Sequence, residues 1–153
     1  MGQPLLGSEI VIQIGILVHD IDKTSQDYAT FFGVEKPPVG MTGVYEDAKT
    51  TYMGEPSKAR TKQAFFDVGP NIQIELLEPD HEPSTWRHDL DTKGEGVHHI
   101  AFKVKGMKQN IALCEGAGMK LLQTGEWATG RYAYMDATPS LKTIIELLEF
   151  DNG

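Results

Sequence analysis

Hydrophobic and polar residues alternate along several short stretches of this chain, and the alternation comes in two matching sets. Ile12, Ile14, Ile16 and Val18 interleave with Gln13, Gly15 and Leu17, the period of two expected of a strand with one buried face. His98, Ile100, Phe102 and Val104 interleave in the same way with His99, Ala101 and Lys103. Each run leads into a helical pattern that a glycine closes. Between Asp22 and Phe32 the aromatic residues Tyr28, Phe31 and Phe32 recur at helical spacing; Asp20 or Asp22 can cap the start and Gly33 is a suitable stop. Between Met107 and Ala117, Met107, Ile111 and Cys114 share one face, and Gly118 is the stop. Further strands are predicted over 63–68, 72–77, 120–124, 131–136 and 143–150.

The pentapeptide IELLE occurs at 74–78 and again at 145–149. The order strand, helix, several strands ending in IELLE is therefore used twice. This implies a first module over 1–80, a linker over 81–96 and a second module over 97–153. The linker is polar and contains proline, although Ser84–Leu90 can form a helical turn. Residues 34–61 are rich in glycine and proline, with a candidate strand around Thr42–Tyr45 and a loop after it.

The repeat singles out four polar residues. A strand buried on one face does not hold a polar side chain at its middle without a reason. Gln13 and His99 occupy equivalent points of the two first strands, and Glu75 and Glu146 equivalent points of the two last strands. If the modules are related by pseudo-symmetry, these four converge. Two carboxylates meeting in a cavity repel, and a divalent cation removes that repulsion. An amide oxygen, an imidazole and two carboxylates suit zinc, nickel, cobalt or manganese. Glu146 and Glu75 are then the candidate catalytic bases. Arg131, Tyr132, Tyr134 and Trp86 are expected around a substrate opening, with Arg131 placed to meet an anionic group. Lys103, on the same alternate face as His99, is a second candidate substrate contact. His98 is expected to point away from His99 and to serve in packing. Glu78 and Glu149 are expected to face solvent, and His19, His81 and His88 to lie outside the site.

Composition narrows the partners. The chain has 153 residues, 40% hydrophobic and 24% charged, an ordinary globular balance. A net charge of -8 argues against nucleic acid and anionic membrane surfaces. Cys114 is the single cysteine, so no intramolecular disulfide forms and a cytoplasmic setting is expected. The start has no signal-peptide pattern, and no apolar run approaches the ~20 residues that span a bilayer.

QIGILVHDIDKTSQDYATFFGV at 13–34, IQIELLEP at 72–79 and GEGVHHIAFKVKGMKQNIALCEGAGMKLL at 94–122 resemble the vicinal-oxygen-chelate superfamily, the last two segments methylmalonyl-CoA epimerases in particular. The resemblance covers nearly the whole chain. It implies an α+β fold of two βαβββ modules whose curved sheets surround a metal cavity, and a homodimer. It places the metal ligands on Gln13, Glu75, His99 and Glu146, a set similar to that of zinc-type glyoxalase I. Epimerases usually have His where Gln13 stands, and their second acid/base carboxylate aligns near Gln63. Two residues that glyoxalases use to hold glutathione are replaced here by Leu17 and Pro79. The implied activity is proton abstraction next to a carbonyl, first as a methylmalonyl-CoA epimerase-like enzyme acting on an acyl-CoA. The alternative is a glyoxalase I (lactoylglutathione lyase)-like enzyme acting on a glutathione adduct. A third reading is a binding protein of the bleomycin-resistance kind, with no catalysis.

Overall fold

The computed structural model describes residues 2–7 and 10–152. The first half of the chain runs β1 (Val11–Leu17), α1 (Ile21–Phe32), β2 (Gly40–Met41), α2 (Tyr45–Ala48), β3 (Thr51–Tyr52), β4 (Glu55–Pro56), β5 (Thr61–Asp67) and β6 (Gln73–Pro79). After α3 (Thr85–Lys93) the second half runs β7 (Gly96–Lys103), α4 (Met107–Gly116), β8 (Lys120–Trp127), β9 (Gly130–Asp136), α5 (Thr138–Leu141) and β10 (Ile144–Phe150). All the strands join one curled sheet in the order β2-β5-β6-β1-β7-β10-β9-β8-β3-β4.

That order is a mirror about its centre. In each half the first strand pairs in parallel with the last, β1 with β6 and β7 with β10. The two first strands then meet antiparallel, β1 against β7. The first and last strands of both halves therefore lie side by side at the middle of the sheet, and the polar positions of the repeat lie on them.

Each half covers its convex face with its own helix. The α1 helix starts at Asp20, whose carboxylate accepts the Lys23 N–H at 3.2 Å, and stops at Gly33 with φ 69°. Its buried face is Ile21, Ser25 and Ala29, packed on Ile16, Ala64, Phe66 and Ile74. Tyr28 and Phe32 flank that face, whereas Phe31 is turned about 100° from Phe32 and about 60° from Tyr28, away from the buried face, and is 81% exposed. In the second half α4 covers Ala133, Met135, Ile145 and Leu147 through Met107, Ile111 and Cys114.

The second glutamate of each IELLE repeat has a defined partner, contrary to the solvent-facing position expected from sequence. Glu78 Oε1 accepts the Ile21 N–H at 2.9 Å, at the start of α1. Glu149 accepts the Gly106 N–H at 2.6 Å and the Met107 N–H at 3.2 Å, at the start of α4. Gly106 has no side chain to cap its own helix, so the strand beside it supplies the acceptor. Helix N-termini carry unpaired N–H groups and favour negative charge, which explains why a carboxylate is used.

The 34–61 region departs further from the sequence expectation. The strand anticipated around Thr42–Tyr45 is instead the short β2 at Gly40–Met41, and Tyr45–Ala48 is a helical turn closed by Lys49 at φ 48°. The β3–β4 hairpin that follows leaves the first half altogether. It adds to β8, with Thr51 opposite Thr124 and their hydroxyls 2.6 Å apart. In the 81–96 segment the helical turn expected over Ser84–Leu90 forms as α3, a longer helix that is packed into the concave core. Trp86 and Leu90 are buried there with Leu17, Leu77, Tyr134 and Ile144. Ser84 caps α3, accepting the Arg87 N–H at 3.0 Å. Among the described residues no helix is long and apolar enough to cross a membrane.

Candidate functional site

The sheet register carries the four polar positions to one point. Gly15 on β1 is paired with Glu75 on one side and with His99 on the other. Glu146 on β10 pairs with Ala101, one alternation beyond His99 on β7. With Gln13 two residues before Gly15, all four side chains project from the same face of neighbouring strands. His99 Nε2 is 3.1 Å from Glu146 Oε1, 3.5 Å from Glu75 Oε1 and 3.4 Å from the Gln13 amide oxygen. That Gln13 terminal position is itself 3.2 Å from Glu75 and 3.1 Å from Glu146, distances at which an amide N–H turned inward would donate to both. Burial is nearly complete, with Gln13 at 8%, Glu75 at 5%, Glu146 at 4% and His99 at 0% exposure.

Such a cluster of acids has a strong electrostatic signature. Burial by itself pushes the His99 imidazole down, but Glu146, and then Glu75, outweigh it and raise the group to about 9. Burial raises the Glu146 carboxyl, His99 opposes this, and Glu75 adds to it. In the absence of any other cation, the imidazolium is what balances the carboxylates. Each glutamate is also held from behind. Gln63 Nε2 donates to Glu75 Oε2 at 2.7 Å, and the Tyr134 hydroxyl favours the charged form of Glu146. Tyr134 in turn accepts the Trp86 indole N–H at 3.0 Å, so α3 braces the wall of the site.

Gly15 is required by this arrangement. A Cβ built on it would sit 2.5 Å from both nitrogens of the His99 ring. Only glycine leaves room for an imidazole lying across the strand. A glycine inside an alternating strand is the sequence signal for close approach of this kind.

His98 does not point away from His99. In the β1–β7 ladder Gly15 pairs with His99 and Ile16 with Val97, which leaves His98 as the extra residue of a β-bulge. The bulge breaks the alternation and turns His98 inward. Its Nδ1 is 2.8 Å from His99 Nδ1, and the residue is 3% exposed. Burial, followed by the charge of His99, pushes the His98 imidazole well down.

The centre opens into a cavity of about 440 Å³. Gln13, Glu75 and Glu146 line it at one end, with Gln63, Tyr132 and Tyr134 beside them. Phe65, Trp86, Trp127, Leu148 and Phe150 supply apolar wall, and Gly43, Thr42 and Thr50 come from the 34–61 region. Trp86 and Tyr134, two of the residues expected around an opening, line this cavity. Arg131 and Lys103 do not. Arg131 is on the other face of β9, where its guanidinium donates to Glu149 at 2.8 Å and to Asp151. Lys103 ends β7 in solvent. Among the described residues no lysine or arginine lines the cavity. Tyr132, also expected at the opening, and Gln63, aligned with the epimerases' second acid/base position, line the cavity as well; Gln123, which donates to the Tyr132 hydroxyl at 3.0 Å, is a support that the sequence does not single out.

A family model described as the Glyoxalase/Bleomycin resistance protein/Dioxygenase superfamily matches residues 12–135. Among solved structures, a hypothetical protein from Bacillus halodurans C-125 is similar at TM-score 0.65 and 24% identity, covering 92% of this chain and 93% of that one. Methylmalonyl-CoA epimerase from Mycobacterium tuberculosis is similar at TM-score 0.63 and 19% identity, over 97% and 91% of the two chains. A methylmalonyl-CoA epimerase in complex with methylmalonyl-CoA and ammonium is similar at TM-score 0.62 and 22% identity, over 92% and 93%. At these identities the likeness is one of fold. Among curated proteins none is significantly similar in sequence.

Proposed function

We propose that this chain, which belongs to the Glyoxalase/Bleomycin resistance protein/Dioxygenase superfamily, is a metal-dependent enzyme that moves a proton on a carbon next to a carbonyl. Its first candidate reaction is epimerisation of a 2-acyl-CoA thioester, methylmalonyl-CoA above all. The observation that carries the reading is the spacing of the donors: His99 and the Gln13 amide each stand 3.1–3.5 Å from both carboxylates and from one another. Ligands at 2.0–2.2 Å from one ion stand roughly 2.8–3.1 Å apart around an octahedron and roughly 3.3–3.6 Å apart around a tetrahedron. That spacing supports the reading that Gln13, Glu75, His99 and Glu146 would hold a single divalent ion. Such an ion, when bound, supplies a Lewis acid that polarises a substrate carbonyl and stabilises developing negative charge.

The protein side of the reaction falls to the two glutamates. A carboxylate whose affinity for protons is raised by burial is a better acceptor from a weak carbon acid, and Glu146 is in that position. Glu75 lies across the centre and is the second candidate for giving a proton back. Its far oxygen is already engaged by Gln63, which holds its orientation. Gln63 stands where a second carboxylate base is expected in epimerases, and an amide cannot take a proton. Because no lysine or arginine among the described residues lines the cavity, the phosphates of an acyl-CoA would lie outside it and only the acyl end within. The aromatic wall then excludes water from the reacting carbon.

The Gln63 amide also favours a second reading, a glyoxalase I-like isomerisation of a thiol hemithioacetal, in which Glu75 and Glu146 are the acid–base pair. The test is incubation with methylmalonyl-CoA in heavy water after loading with zinc, nickel, cobalt or manganese. Loss of the α-proton signal, abolished in Glu146→Gln, supports the epimerase. No exchange, together with isomerisation of the methylglyoxal–glutathione adduct, supports the second reading. Stoichiometric metal with neither activity points to a binding protein.

A further inference from the structure

Behind the centre a chain of buried polar groups leads away from His99 to α3. We propose that Asp89 is a positioning residue for the metal centre, acting on His99 through His98. The inference rests on the four-donor reading above. It follows from asking where each ring proton resides.

His99 turns Nε2 toward Glu146, Glu75 and Gln13. A coordinating nitrogen carries no proton, so the N–H of neutral His99 is on Nδ1. The group facing that N–H, at 2.8 Å, is His98 Nδ1. It must accept, and an accepting Nδ1 leaves the proton of neutral His98 on Nε2. His98 Nε2 is buried with no hydrogen-bond partner. The carboxylate facing it is Asp89, whose Oδ2 is 3.9 Å away. That separation is a charge–dipole contact rather than a hydrogen bond, and it favours the tautomer that points N–H outward. The order His99 Nδ1–H to His98 Nδ1, then His98 Nε2–H toward Asp89, has one direction only. Reversing it would aim two lone pairs at each other at the Asp89 end.

Asp89 is fitted to this task. It is 7% exposed, although it lies on a helix in the middle of a polar stretch. Its Oδ1 is 3.0 Å from His88 Nδ1, and Lys93 Nζ is 3.5 Å from the same Oδ2 that faces His98. It also borders a second cavity of about 190 Å³, separate from the first, with Thr85, whose buried hydroxyl lacks a partner. The bulge at His98 has a purpose in this scheme. It turns a residue that regular alternation would aim away from His99 back against it. Ligating histidines generally pass their second N–H to a carboxylate or carbonyl that fixes tautomer and ring angle. Here a second histidine is interposed.

The test compares wild type with Asp89→Ala and Asp89→Asn, the latter keeping an acceptor oxygen. Two readouts are taken, zinc affinity by competition and the nitrogen NMR signature of the histidine rings in metal-free protein. Expected are a fixed Nε2–H His98 in wild type, its loss in Asp89→Ala, and zinc binding weakened about 10–100-fold in that variant. Asp89→Asn is expected to stay within a few-fold of wild type. Unchanged His98 tautomer and zinc affinity in Asp89→Ala overturn the inference. So does a loss of zinc affinity matched by an equal loss of stability in the metal-free protein for both variants, which marks a packing role. Should wild type bind no zinc, the metal reading fails, and the ring tautomers in metal-free protein still decide whether Asp89 sets the state of His98.

Discussion

Gly15 lies directly against the imidazole of His99, so close that a single added Cβ would stand 2.5 Å from both ring nitrogens. Alanine at this position therefore has to move either the ring or the strand. Both flanking ladders, to β6 and β7, restrain the strand, so the ring is the part that gives. Gly15→Ala is expected to lose metal binding and to lower stability by about 1–3 kcal/mol, the range for overpacking a close-packed interior. Urea denaturation of the metal-free protein measures the second effect, and metal titration the first. Wild-type metal affinity in Gly15→Ala would mean that His99 is not held in the place described.

Glu149 offers a prediction with a defined pH dependence. The Gly106 N–H, then Arg131 and the Met107 N–H hold its carboxyl below the ordinary range, against burial. A group depressed on folding adds stability that is complete above its unfolded value, about 4.3, and is lost as pH falls through the folded value. Glu149→Ala is expected to cost about 1 kcal/mol at neutral pH, the usual worth of a helix N-cap. The gap between variant and wild type should close on the acid side. Denaturant midpoints at a series of pH values check this, and a gap that persists at low pH would show that the carboxylate's charge is not what matters.

How the sequence relates to this structure is clearest at five places. Gln13, Glu75, His99 and Glu146 are legible because each is a polar residue in an alternating strand and each has a counterpart in the repeat. The His98 bulge is not legible, since it exists only in the register between β1 and β7. The roles of Glu78 and Glu149 are hidden for a similar reason. Their helix donors lie 57 and 43 residues away along the chain. Residues 34–61 were unassignable because their short strands depend on pairing with β5 and with β8 from the other half. Arg131 lies outside the cavity because β9 alternates between cavity and outer face, and which face each residue takes is fixed by pairing with β8 and β10.

Gln63 tests how Glu75 is held. Its amide donates to a buried carboxylate at 2.7 Å, and a hydrogen bond to a charged group contributes roughly 1.5–3 kcal/mol. Gln63→Leu leaves that oxygen unpaired and is expected to lower stability by that order in metal-free protein, with turnover reduced more than substrate affinity. Gln63→Glu is the sharper variant. It sets a second carboxylate against Glu75, which weakens the metal-free fold and supplies a proton acceptor where the natural residue has none. A rise in epimerisation relative to hemithioacetal isomerisation in Gln63→Glu would identify this position as the one that separates the two chemistries. An unchanged ratio would remove it from that role.

Metal addition gives the broadest check on the centre. An ion that binds the folded chain alone stabilises it by about 2.7 kcal/mol at a free concentration 100 times its Kd. For a domain of this size each kcal/mol corresponds to a rise of roughly 2–4 °C in Tm. Wild type titrated with zinc, nickel, cobalt or manganese is therefore expected to gain about 5–11 °C under that condition. Glu75→Gln and Glu146→Gln each remove one of the two charges that draw the ion in, so the gain should shrink sharply in either. The same substitutions relieve the repulsion between buried carboxylates, so the metal-free variants should be no less stable than metal-free wild type apart from the lost contact to His99. Differential scanning calorimetry with and without chelator separates these two expectations. If the metal-dependent gain survives in both variants, the ion binds elsewhere on the protein.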